Sequence, residues 1–193
     1  EGIEALGATV EVYRLPASVI GTTVLCLALG DGDQYPGVTF GLGCDLDPRT
    51  ALRQAVLELG QTGPYLRRMM GSGILKPAED PSGVREMLDH AAYYFPKERA
   101  SAFDHLRSDT TSIVLGDLKS IPKRSLQDCA IALDQAAVRV ALADVTSADV
   151  ATGPFSVMRA VSPDLQPIWY GYGLERIHKL KIADDVPPIN PIW

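Results

Sequence analysis

Apolar and polar positions change period several times along this chain, and each change marks an element. Residues 9–15, TVEVYRL, alternate with Val10 and Val12 on one face, the period of a strand. Residues 18–29 read as a second strand, with Thr22 and Thr23 inside it. GDGDQYPG, residues 30–37, is a turn carrying the usual breakers. Residues 38–43 form a third strand, so the pair reads as a hairpin with a long loop. The period then becomes helical. Asp47 suits an N-cap and Pro48 a first helical position. Ala51, Leu52, Ala55, Val56 and Leu59 repeat at helical spacing and predict a buried stripe, which Gly60 and Gly63-Pro64 loosen towards Met70.

Beyond Met70 the pattern predicts a loop over 70–83, then helices over 84–92 and 97–108 and a short strand over 112–117. An amphipathic helix over 125–136 precedes strands over 138–145 and 155–161. The remainder is irregular apart from a short helix near 174–179. Strands and helices mix without strict βαβ alternation, which predicts an α+β fold with mixed or antiparallel sheets packed with helices.

Composition narrows the partners. The chain has 193 residues, enough for a sizeable core, and is 46% hydrophobic and 22% charged. A net charge of −6 argues against non-specific nucleic-acid binding. No apolar run reaches the roughly 20 residues of a membrane span. Cys26 and Cys129 lie in apolar runs and Cys44 has no close partner, which suits buried free thiols in a reducing cytoplasm. The chain starts at Glu1 in what reads as the end of a helix, so it is expected to be a fragment or a processed piece.

The last residues, 184–193, are proline-rich and apolar. Pro187, Pro188 and Pro191 restrict φ and reduce the entropy lost on docking, while Ile189, Ile192 and Trp193 supply area that gains by burial. The tail is therefore expected to lie docked.

Known chemical motifs are scarce. There is no GxxxxGK[ST] loop, no GxGxxG opening a helix, no HExxH, no CxxC and no GxSxG. His90, His105 and His178 lack metal-ligand spacing. One polar set stands out. Gln54, Glu58 and Gln61 follow at i, i+4 and i+7 on the helix after Pro48, offset from its apolar stripe. They suit either a solvated face or the wall of a polar cleft that binds a ligand or a metal-bound nucleotide. Arg159, inside the apolar run PFSVMRAV, is either an edge residue or a paired functional group.

Four segments, in order, resemble the YcaO family. GCDLDPRTALRQAVLELGQT resembles its Asp-Pro step and following helix with Ala-Leu and Glu-x-x-Gln. DHAAYYFPKERASAFDHLRS is similar to the next helical insert of the D-protein cyclodehydratases. VTSADVATGPFSVMRAVSPDLQPIWYGYGLER resembles the run through a Val-x-Arg strand to an aromatic-glycine step, and PPINPIW the proline-rich end of azoline-forming members. The resemblance implies that residues 1–193 are the C-terminal portion of a YcaO-like domain.

It also implies a function: use of ATP and Mg2+ to activate peptide backbone amides. A Cys, Ser or Thr side chain of a ribosomally made precursor adds to the preceding carbonyl, and the resulting oxygen is phosphorylated and expelled. The product is a thiazoline or oxazoline, as in bacteriocin-type natural products. By resemblance, Glu58, Gln61, Gln54 and Arg159 face the nucleotide, Glu58 the metal, and Pro187, Pro188, Pro191 and Trp193 the reacting centre. Implied partners are the precursor peptide, an E1-like leader-binding protein and an N-terminal YcaO segment carrying further carboxylates, with a homodimer open.

The pattern departs from the family at two arginines. Gln54 stands where the family usually has one, with Arg53 about 100° away around the helix, and Gly63 stands where it has the other. The alternative reading is therefore a non-catalytic YcaO-like module that binds a peptide or partner enzyme. Thioamidation and ribosomal-protein methylthiolation are remoter alternatives.

Overall fold

The structure, a computed structural model, describes residues 2–16, 21–108, 111–122, 125–165 and 168–174. These fall into two compact units: residues 125–165 form one, and all the others form the first.

The first unit is built on β1 (Thr9–Leu15), β2 (Thr22–Leu29) and β3 (Val38–Asp45), an antiparallel sheet in the order β1-β2-β3. The β2–β3 loop is tied by Asp31. Its Oδ1 accepts the backbone N–H groups of Asp33 at 2.9 Å, Gln34 at 2.7 Å and Tyr35 at 3.2 Å. These bonds favour the ionised form and hold the Asp31 carboxyl below the usual carboxylate range. The central strand has no polar side: Val24, Leu25, Cys26, Leu27 and Ala28 are all buried. A strand of that kind needs cover on both faces. Helix α1 (Pro48–Gly71) supplies one layer, setting Ala51, Ala55 and Leu59 against Val24, Cys26 and Ala28. Val84, Tyr94 and Phe103 supply the other, against Leu25, Leu27 and Val38. They flank α2 (Met87–Tyr93) and α3 (Asp104–Ser108). Burial pushes the Cys26 thiol and the Tyr94 phenol up in pKa, so both stay neutral.

The start of α1 forms as its sequence dictates. Asp47 Oδ2 accepts the Thr50 N–H at 3.0 Å, and Pro48 occupies the first turn, where no N–H is needed. Ser120 donates to Asp47 Oδ1 at 2.7 Å, and that bond, with those from Thr50, lowers the Asp47 pKa. The helix does not loosen at Gly60 but runs for 24 residues to Gly71, through Pro64. Gly63 is buried against the Tyr35 hydroxyl, so tertiary packing carries the helix past its proline. Val56, expected in the stripe, is 48% exposed. The buried line is Ala51, Ala55, Leu59 and Gly63 at strict i+4 spacing, and Val56 sits about 100° from it.

Three further expectations are corrected. Residues 112–117 form no strand; they hold a single 3-10 turn at Leu115–Asp117, and no strand among the described residues pairs with them. The helix expected over 97–108 divides into a 3-10 stretch, Lys97–Phe103, and α3. Cys129 is half-buried rather than buried.

The second unit holds α4 (Leu126–Gln135), β4 (Ala141–Asp144) and β5 (Met158–Val161), with the two strands antiparallel and shorter than expected. Ser125 and Asp128 form a reciprocal capping box. Arg139 and Asp164 form a two-point pair, with N–O distances of 2.8 Å. Every residue of both strands is exposed.

Two close approaches define the first layer. A Cβ on Gly41 would run into the Ala55 carbonyl and the Leu59 nitrogen, and one on Gly43 into the Ala51 carbonyl. Gly60 faces open space. Gly43→Ala is expected to lower unfolding free energy by about 3 kcal/mol in urea titration, and Gly60→Ala to raise it by about 1 kcal/mol.

Glu11 on β1 joins the sheet to α3. It accepts from Arg107 Nε at 3.1 Å and Nη2 at 3.1 Å, and from the Tyr13 hydroxyl at 2.7 Å. Burial acts to raise its pKa, but the bonds from Arg107 and Tyr13 outweigh it and hold the carboxyl below 4.5. A depressed folded-state pKa stabilises above the unfolded value and loses that contribution as pH falls through the folded value. Wild type should therefore melt higher than Glu11→Gln at neutral pH, with the gap closing as pH drops below 4.5.

Candidate functional site

The close approach at Gly41 and Gly43 brings one polar line of α1 onto the outer edge of β3. Gln54 Oε1 accepts the Cys44 N–H at 3.2 Å, and Glu58 Oε2 accepts the Leu42 N–H at 3.0 Å. Thr62 Oγ1 lies 3.1 Å from the Phe40 carbonyl as donor. The spacing explains the match. Four helical residues rise about 6 Å and two strand residues about 6.8 Å, so 54, 58 and 62 step past 44, 42 and 40. At the start of the strand, the Val38 N–H is taken by the Tyr94 carbonyl at 2.9 Å. Gln54 Nε2 also reaches Asp45 Oδ2 at 3.4 Å.

Of the sequence-derived site residues, Gln54 and Glu58 therefore act together on one strand edge. The third member of that line is Thr62, which a search for carboxylates and amides passes over although the i+4 repeat points to it. Gln61 is exposed one turn along and lines a different cleft of about 880 Å3, with Tyr65, Arg67, Arg68 and Asp33. Arg67 Nε there donates to the Gln34 carbonyl at 2.8 Å. Arg159 lies in β5 of the second unit, opposite Ala143, and is exposed. Pro187, Pro188, Pro191 and Trp193 lie outside the described residues, as does His178.

Beside Glu58 the β3 edge opens into a cavity of about 310 Å3. Phe40, Leu42, Leu66 and Ala91 form walls, and Tyr65 and Tyr170 also line it. His90, on α2, is buried between rings: Tyr94 lies at 5.9 Å and Tyr170 at 6.4 Å, the latter edge-on. The chain segment carrying Tyr170 is pinned by the Tyr172 N–H, which donates to the Val84 carbonyl at 2.9 Å. None of this cavity was legible in the sequence, because its walls come from four separate stretches.

The family model described as YcaO cyclodehydratase, ATP- and Mg2+-binding, matches residues 1–166. The chain belongs to the YcaO family. No curated protein sequence matches it significantly. Among solved structures, the YcaO chain is similar to a heterocyclase in complex with substrate and cofactor, with a TM-score of 0.62 and 19% identity over 86% of this chain and 21% of that one. It is also similar to a chain of the E. coli microcin synthetase McbBCD complex, at a TM-score of 0.56 and 19% identity over 84% of this chain and 41% of that one. The heterocyclase TruD follows at 0.51 and 15%, over 83% and 20%. These likenesses are likenesses of fold. The YcaO chain spans at most 41% of any of these three chains. Among the described residues, no helix is long and apolar enough to cross a membrane.

Of the residues present, the exposed Glu58 carboxylate fits the donor chemistry of Mg2+ bound with ATP. Among the described residues, no three His, Cys, Asp or Glu side chains converge on one point. Mg2+ is commonly held by one or two carboxylates with substrate phosphates and water, and the single exposed carboxylate of Glu58 suits that role. Its Oε2 is bonded to Leu42, which fixes the direction of Oε1.

The strand-edge bonds give a stability test separate from any ligand. Glu58→Ala is expected to cost about 1 kcal/mol in chemical denaturation. Glu58→Gln, which keeps a carbonyl for the Leu42 N–H, should recover most of that loss.

Proposed function

We propose that this YcaO chain is part of an ATP-dependent cyclodehydratase that forms thiazoline or oxazoline rings in a ribosomally made precursor peptide. The observation that carries the reading is the family match over residues 1–166, joined to a heterocyclase-like fold. ATP bound with Mg2+ supplies the phosphoryl group that turns an amide oxygen into a leaving group. The chain's own residues bind and orient. Glu58, braced by the Leu42 N–H, would hold the metal. Gln61 offers an amide to the nucleotide, and Gln54 keeps the β3 edge in place beneath it while facing the same ligand. Arg159 contributes positive charge to the phosphates. Pro187, Pro188, Pro191 and Trp193 act at the reacting centre. The rest of the YcaO domain supplies further carboxylates, and an E1-like partner presents the leader peptide, in the cytoplasm and in a bacteriocin-type pathway.

One observation favours a second reading, a module that binds peptide or a partner enzyme without turnover. Gln54 and Glu58 are both engaged on the sheet edge, so their positions have a structural reason of their own.

Mass spectrometry of a precursor peptide incubated with the full-length protein, its partner, ATP and Mg2+ separates the two. The catalytic reading requires one water lost per ring, with ATP consumed. Glu58→Gln, which preserves the fold, should weaken Mg2+-dependent nucleotide binding about tenfold or more, a difference of about 1.4 kcal/mol. Removing Asn190 to Trp193 should cut cyclisation far more than it lowers Tm. Peptide binding without water loss or ATP consumption would establish the second reading instead.

A further inference from the structure

We propose that the aromatic cavity beside Glu58 is a side-chain pocket for the precursor peptide. It takes one large apolar residue, of the size of Leu, Met or Phe, next to the residue that cyclises. This rests on the function proposed above and specifies the substrate of that site.

The polar groups of the cavity decide what can fill it. Thr39 Oγ1 is paired with the Tyr35 hydroxyl at 3.0 Å. Thr62 Oγ1 donates to backbone carbonyl oxygen, with that of Phe40 at 3.1 Å and that of Glu58 at 3.0 Å. Glu58 Oε2 is on the Leu42 N–H. His90 is enclosed by the Tyr94 and Tyr170 rings. Among the described lining residues the walls are mostly apolar, so a nucleobase, sugar or phosphate placed here would find few matching groups besides the Tyr65 and Tyr170 hydroxyls. An apolar side chain has no such demand and gains by leaving water.

Charge sharpens the choice. Among the described residues, Glu58 supplies the only carboxylate lining the cavity, and no Lys or Arg lines it. An acidic side chain would meet like charge there, with no counter-ion among the described residues. Size agrees as well: about 310 Å3 lies at the small end of ligand pockets. At the cavity, Tyr65 is 39%, Tyr170 41% and Met87 54% exposed, an apolar surface open to an incoming chain.

Position supplies the link to the reaction. Glu58 belongs both to this cavity and to the proposed metal contact. Tyr65, Tyr170 and Glu58 line the same cavity, so a peptide side chain seated there lies on the wall that carries the Glu58 carboxylate.

Ala91 is half-buried on the cavity wall, and Ala91→Phe adds a ring to the space while leaving residue 58 unchanged. In the full-length enzyme it is expected to raise KM about tenfold for precursor peptides with Phe or Leu beside the cyclised residue. Peptides with Ala there should change little, and nucleotide affinity should not change. Wild type should also disfavour Asp at that position. An equal loss for Phe and Ala peptides would overturn the proposal, and a loss of nucleotide affinity would give the cavity to the nucleotide. Direct binding covers the case of an enzyme that does not turn over. N-acetyl-phenylalanine amide, titrated by NMR, should bind wild type and be blocked by Ala91→Phe, whereas N-acetyl-aspartate amide should not bind. Tyr170→Leu, which removes an aromatic wall of the pocket, provides the second variant should Ala91→Phe fold poorly, and is expected to weaken binding of N-acetyl-phenylalanine amide. Absence of ring formation together with this selective binding would defeat the cyclodehydratase reading and leave the pocket standing. Absence of selective binding would defeat the pocket alone.

Discussion

Helix α1 lies on β3 with no side-chain layer between them at Gly41 and Gly43. Both glycines point at the helix backbone, and Ala51 and Ala55 answer with the smallest side chains available. Contact this close forgoes the apolar area that larger residues would bury. In return it sets the helix beside the strand edge, within side-chain reach of its unpaired backbone groups. Gln54, Glu58 and Thr62 then take the Cys44 and Leu42 N–H groups and the Phe40 carbonyl of that edge. A wider spacing, with Val or Leu at 41 and 43, would carry the three side chains away from the strand and leave the edge open.

An open edge is a template for unwanted strand pairing. Among the described residues it is covered in part by side chains rather than by another strand, which leaves space beyond it. The aromatic cavity occupies that space, lined by α1 at Glu58, Thr62 and Tyr65, by α2 at His90 and Ala91, and by Tyr170. The same bonds that protect the edge also orient the Glu58 carboxylate at the cavity. The structural role and the proposed metal contact therefore fall on one residue, and a single substitution at 58 mixes both. Separating them takes the pair Glu58→Ala and Glu58→Gln, because only the second keeps an acceptor for Leu42.

Much of the first unit was legible residue by residue. The strand at Thr9–Leu15 follows from its alternation, and the start of α1 from Asp47 and Pro48, since caps and periods are local properties. The end of α1 was not, because Gly63 and Pro64 weaken a helix locally while the Tyr35 contact restores it from a distance. Residues 112–117 failed for the opposite reason: strand-like composition carries no force where, among the described residues, no partner strand lies alongside. At the site, the helical line through Gln54 and Glu58 was visible, but its purpose was not. Spacing places side chains on a face; it does not say that a strand edge runs parallel to that face.

The sequence by itself determined the α+β class, the hairpin, the α1 cap, the family resemblance and the polar line on α1. All of these depend on near neighbours in the chain or on motifs that survive in order. Only the tertiary structure decided that Glu58 is hydrogen-bonded to Leu42, that Thr62 rather than Gln61 completes its row, and that a cavity closes beside them. Each of those joins residues from separate elements, and the distance between them is set by Gly41 and Gly43, where the informative feature is an absent side chain.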